Sequence, residues 1–165
     1  MGVRATDMRK TRQRGVPDGF ENERMLIVPE RRLRAAELLP VLRDLRVTHL
    51  GQFTAAANHR VTRPRGAPEH VLIYCLSGAG SGKMGKTPFA MRAGDLVVLP
   101  PNAPHSYGAE PEDPWTILWF HFVGERAADY VRAMGFDAVH PVLAVPRIRE
   151  MRQAFEETYR HALGG

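Results

Sequence analysis

In the stretch GDLVVLPPNAPHSYG, residues 94–108, an apolar run ends on Pro100-Pro101, and His105 and Tyr107 follow two residues apart. Side chains alternate along a strand, so these two share one face. An imidazole beside a phenol suits three tasks: ligating a metal, moving a proton, or hydrogen-bonding a small molecule. A metal needs three or four donors converging with fixed geometry. Upstream, RVTRPRGAPEH has no H-x-H pair, and His59 and His70 stand too far apart to replace one on a single strand. No metal and no cofactor are expected, and no catalytic residue is assigned. Nucleophile-elbow, phosphate-loop and Cys/His-cluster patterns are missing from the sequence. Glu110, Glu112 and Asp113 lie in a turn and read as solvated charge.

A second group lies in PWTILWFHFVG. Alternation places Trp115, Ile117, Trp119 and His121 on one face and Thr116, Leu118, Phe120 and Phe122 on the other. Both faces are apolar or aromatic, so the strand is expected to be covered on both sides. An indole on such a strand is either plain core or a stacking platform for a ligand.

The elements that must position these residues can be read from composition and punctuation. The 165 residues, 44% apolar and 25% charged, suit one globular domain with a real core. The net charge of +5 is unevenly placed. Residues 1–34 carry nine Lys/Arg against five acids, and residues 35–165 carry fourteen against thirteen. The body is therefore nearly neutral and shows no electrostatic footprint for DNA. The lone Cys75 sits in the apolar run HVLIYCLSG, which reads as a buried inert thiol and fits a reducing cytoplasm. No apolar run approaches the roughly 18 residues of a membrane span, and no secretion signal is read at the start.

Residues 1–30, broken by Gly15, Pro17, Gly19 and Pro29, read as a flexible arm. A short helix is expected around residues 31–38, interrupted by Pro40. Residues 47–123 show apolar runs of strand length separated by Gly and Pro, the pattern of an all-β sandwich or barrel. Residues 31–124 are thus assigned to the barrel and 125–165 to a helical segment. The last helix places Ile148, Met151, Phe155 and Tyr159 on one stripe. That stripe is assigned to a dimer interface, with packing on the chain's own barrel as the alternative.

The spacing of Gly94, Pro100, Asn102 and His105 resembles the second motif of the cupin superfamily, with Asn102 where a glycine is usual. The resemblance implies a mainly β fold, a double-stranded β-helix barrel, followed here by C-terminal α-helices. In metal-bearing cupins the histidine of this motif joins an H-x-H and a glutamate standing seven residues before a glycine. Counting back from Gly78 gives Val71 in the glutamate's place. More specifically, HVLIYCLSGAG, GDLVVLPPNAPHSYG and DPWTILWFHFVG together resemble the N-terminal effector-binding domain of AraC-type transcription regulators. The match covers about residues 60–124.

That resemblance implies a ligand-sensing domain with its effector, expected to be a small carbohydrate, inside the barrel. Arg63 stands where such regulators place a sugar-contacting arginine; His105, Tyr107, Trp115, Trp119 and His121 complete the expected ligand-binding set. Ile117 stands where a sugar-binding member can carry a histidine. The family also implies a homodimer, an N-terminal arm that can fold over the occupied pocket, and DNA binding through a helix-turn-helix domain that this chain does not supply. The rival is a stand-alone cupin enzyme, an isomerase or oxygenase using a bound metal.

Overall fold

The computed structural model describes residues 15–21 and 23–164. The first fourteen residues of the expected arm lie outside the described residues. The chain order is β1 (Arg24–Ile27), α1 (Glu30–Glu37), α2 (Pro40–Asp44), β2 (Arg46–Phe53), β3 (Arg60–Arg63), β4 (His70–Ser77), β5 (Ala79–Met84), β6 (Thr87–Arg92), β7 (Asp95–Leu99), β8 (His105–Ala109), β9 (Thr116–Val123), α3 (Ala127–Ala133), β10 (Val142–Ala144) and α4 (Ile148–Leu163).

The strands make two antiparallel sheets, β1-β2-β9-β4-β7-β10 and β3-β8-β5-β6. Strict alternation sorts the larger sheet's side chains into two cores. Val71, Ile73, Val97, Leu99, Ile117 and Trp119 face the smaller sheet. Leu50, Tyr74, Leu96, Val98, Leu118 and Phe122 face the helices on the outside. Covering both faces of the larger sheet explains why β4, β7 and β9 read as continuous apolar runs. The architecture is the mainly β, cupin-like barrel with C-terminal helices that the sequence led us to expect.

Two turn positions make the motif around His105 possible. Gly94 has φ +89° between β6 and β7, and Asn102 has φ +57° after the double proline. Asparagine tolerates this left-handed conformation better than most residues, so it can stand where the cupin motif has glycine. The Asn102 amide donates to the Ala67 carbonyl at 2.7 Å, tying the turn to the loop that follows Arg63.

The sheet extends past both boundaries expected from sequence. Residues 24–27, assigned to the arm, form a strand paired with β2, with Met25 opposite Gly51. Beyond residue 124, β10 pairs with β7. Strands of four and three residues are too short to leave a clear alternation signal.

Of the α4 stripe assigned to a dimer interface, Phe155 is taken up by the chain's own sheet. Phe155 is fully buried within the single chain, packed against Phe120 with ring centroids 5.5 Å apart. Met151 and Tyr159 join the same outer core, while Ile148 stays on the surface. The stripe covers the larger sheet because an uncovered face of Leu, Val and Phe is the nearest apolar surface. Arg24 of β1 ties the helix to the edge of the same sheet, its Nη2 donating to Glu156 Oε2 at 3.0 Å and its guanidinium lying 4.4 Å from the Tyr159 ring centroid.

Candidate functional site

Between the two sheets lies a cavity of about 360 Å³. Its apolar wall comes from Phe53, Val71, Ile73, Ile117 and Trp119, and its polar wall from His49, His59, Arg63, Tyr107 and His121. Pro17 and Asp18 close part of its edge.

Arg63, at the end of β3, stands opposite His105 of β8 in the antiparallel register. Its Nη1 donates to the Tyr107 hydroxyl at 3.2 Å and lies 3.2 Å from His105 Nε2. His105 Nδ1 is 2.9 Å from the Ala103 carbonyl, which can only accept. Nδ1 therefore carries the proton, and Nε2 presents its lone pair to the guanidinium. Burial pushes the His105 pKa down, with the Ala103 hydrogen bond opposing and the nearby Arg63 charge assisting. Burial pushes the Tyr107 phenol up, against the pull of Arg63. Arg63 has no carboxylate partner among the described residues.

Behind the wall, the Trp115 Nε1–H donates to His59 Nδ1 at 3.0 Å. That fixes the proton of neutral His59 on Nε2, which has no well-formed partner among the described residues. Burial lowers the His59 pKa to about 4, with the Pro17 backbone opposing and the Arg63 charge assisting. Trp119 Nε1 is likewise buried without a partner. Among the described residues, Trp119 Nε1–H is thus unsatisfied, and His59 Nε2–H has only the Pro17 carbonyl near it, an arrangement that costs stability unless something accepts from them. Gly51 is opposite Trp119 in the register. A Cβ at Gly51 would fall 2.6 Å from the indole Cε2, so only glycine lets the ring lie across β2 here.

On the next register step, His49 of β2 faces His121 of β9. Both rings turn Nδ1 to Glu69, which immediately precedes β4; the Oε2 distances are 3.4 Å and 2.8 Å. Burial lowers the His121 pKa while Glu69 opposes it. The Glu69 carboxyl is held low by Thr48 and His121 in spite of its burial.

Of the residues expected from sequence, Arg63, Tyr107, Trp119 and His121 line the cavity. His105 and Trp115 lie outside the lining and orient Arg63 and His59 from behind. Sequence reasoning missed His49, Phe53 and Glu69, and weighed His59 only as a metal ligand. Alternation in VTHLGQF could have placed His49, Gly51 and Phe53 on one face. Glu69 sits on a loop, where no periodicity indicates direction.

A two-sheet barrel holding a partly open, mostly apolar cavity with a few convergent polar groups has the make-up of a small-molecule-binding domain. The family model of the AraC-like ligand binding domain matches residues 47–163, and the chain belongs to that family. It is 35% identical over 136 residues to the MmsAB operon regulatory protein of Pseudomonas aeruginosa, covering 80% of this chain and 43% of that protein. It is 26% identical over 89 residues to the Msm operon regulatory protein of Streptococcus mutans, covering 54% of this chain and 32% of that one. The chain thus spans less than half the length of these relatives. A cupin-like protein of Thermotoga maritima is similar in structure, with 19% identity, a TM-score of 0.43, and coverage of 86% of this chain and 94% of that one. Among the described residues no helix is long and apolar enough to cross a membrane.

Proposed function

We propose that this chain is the ligand-sensing part of a cytoplasmic AraC-type transcription regulator, binding a small hydroxylated effector of the carbohydrate class between its sheets. One observation carries the reading: the donor-bearing side chains of Arg63, His59, Tyr107 and Trp119 line one cavity of about 360 Å³. Sugar hydroxyls accept such donors, and the indole offers a face to the C–H side of a ring. In this reading the role is binding, with His59 and His105 serving as oriented hydrogen-bond partners of Trp115 and Arg63. DNA contact would come through a separate domain. The regulator is expected to act as a homodimer, through surfaces other than the buried Phe155 stripe.

A second reading has its own support. A guanidinium without a carboxylate partner, against a mainly apolar wall, also suits the carboxylate of a small organic acid. A thermal-shift screen of neutral sugars, sugar acids and short hydroxy acids separates the two. A ligand that binds the folded state raises Tm by mass action. A shift with neutral sugars, lost in Trp119→Ala, supports the carbohydrate reading. Shifts confined to acids, lost in Arg63→Gln, favour the second, and no shift in either set removes both.

A further inference from the structure

The positions that bind metal in cupins are filled here by Val71 and by a His105 turned to Arg63, which is why the sequence led us to expect no metal. The side chains capable of ligation meet elsewhere. His49 and His121 face each other across β2 and β9, and Glu69 reaches them from the start of β4. Their candidate donor atoms all lie within 4.8 Å of one another.

We propose that His49, Glu69 and His121 bind a divalent transition-metal ion at the cavity wall. Two imidazoles and one carboxylate are a ligand set used for zinc and non-heme iron, and imidazole also suits nickel and copper. In a tetrahedral site with bonds near 2.1 Å, donors stand about 3.4 Å apart. The Glu69 Oε2 to His49 Nδ1 distance of 3.4 Å matches that spacing, and the 2.8 Å to His121 Nδ1 is the shorter span of a direct hydrogen bond. Small side-chain rotations therefore suffice to close the set around an ion.

The surroundings hold the ligands in place. The Thr48 hydroxyl donates to the His121 carbonyl at 3.2 Å and sits 3.0 Å from His49 Nδ1. The Trp119 ring packs against the His121 ring, centroids 5.6 Å apart. In the ion-free arrangement Glu69 accepts from His121 Nδ1; a metal takes the place of that proton, and the ring then binds as the tautomer protonated at Nε2. Three protein ligands leave coordination positions open. His49 and His121 both line the cavity, so those positions are open to a molecule held there. An ion at this wall together with Arg63 would give the cavity two positive centres, favouring an anionic ligand.

The test needs no effector, so its result is independent of the sensor reading. The full chain, stripped with a chelator, is titrated with Co²⁺ and, in competition with a chromophoric chelator, with Zn²⁺. One equivalent should bind. Glu69→Gln, His49→Ala and His121→Ala should each weaken binding roughly 100-fold or more, beyond what losing an outer hydrogen-bond partner costs. His140→Ala, at an exposed His–Asp contact, should leave it unchanged. No stoichiometric binding, or equal binding by all variants, overturns the proposal. Should the histidine variants fail to fold, paramagnetic Co²⁺ shifts in the unmodified chain decide. They must appear on the His49 and His121 ring protons, and shifts at other histidines instead overturn the assignment.

Discussion

The Nη1 of Arg63 lies 3.2 Å from the Nε2 of His105, and the same nitrogen donates to the Tyr107 hydroxyl. The histidine of the GDLVVLPPNAPHSYG stretch thus works through an arginine, as a neutral acceptor that aims a guanidinium at a cavity. Arg63→Gln should abolish the effector-dependent Tm shift. It should leave the unliganded Tm unchanged or slightly higher, because a partly buried charge without a counter-ion is removed. His105→Leu should keep the fold and weaken binding about 10-fold, the effect of losing about 1.4 kcal/mol of orientation. Isothermal titration beside thermal melts separates the two variants, and equal, large losses of Tm would mean that both residues serve the core alone.

His59 gives the stability a pH dependence of definite sign. Its pKa falls from 6.5 to about 4 on folding, so between these values the unfolded chain binds a proton that the folded one does not. Stability therefore rises with pH through this window and is lost as pH falls from 6.5 toward 4, by up to about 3 kcal/mol. His70 and His105, also lowered by burial, add to the slope with the same sign. Urea unfolding at pH 7, 5.5 and 4.5 should show a falling midpoint. His59→Gln should be less stable at pH 7 yet show a shallower fall, and an unchanged slope in that variant would rule His59 out as a source.

The strands and the inward face of β9 were legible because each rests on a local period. Leu118 and Ile117 land on opposite cores as alternation requires. The cavity was half legible for the same reason: Trp119 and His121 follow from the period of β9, and Arg63 and Tyr107 from motif spacing. Whether a residue on an inward face meets space or packing depends on strand register and on what crosses it. Trp115 and Trp119 share a face, but Trp115 donates to His59 and is sealed, whereas Trp119 lies over Gly51 at the cavity. The meeting of His49, Glu69 and His121 spans 72 residues of sequence and depends on the β2–β9 register and on the loop that carries Glu69.

The helix stripe shows the same limit. Period 3.6 identified Met151, Phe155 and Tyr159 as one face but could not say which surface covers it. With Phe155 fully buried against the chain's own sheet, Phe155→Ala should cost about 3–5 kcal/mol. Sedimentation of folded protein should show the same oligomeric state as the unmodified chain. Unchanged unfolding midpoints together with dissociation of a dimer would instead place the stripe between subunits.

The N-terminal segment supplies the remaining wall and allows one test of coupling. Val16 exchanges backbone hydrogen bonds with Asn58 and Arg60 at 3.0 and 2.8 Å. Phe20 then packs on Phe53 and His59 with ring centroids 5.1 and 5.4 Å away. Both of those residues line the cavity, so the segment packs on groups that form the cavity wall. By linkage, a ligand favouring the closed segment must also be bound more tightly when the segment is there. Deleting residues 1–21 should weaken effector binding about 10-fold, equivalent to about 1.4 kcal/mol of lost contact. Deleting only residues 1–14 should change it little if Val16, Pro17 and Phe20 provide the closing contacts. Equal affinity for all three chains would make the segment a bystander. A loss already complete in the shorter deletion would move the lid to the residues before Gly15.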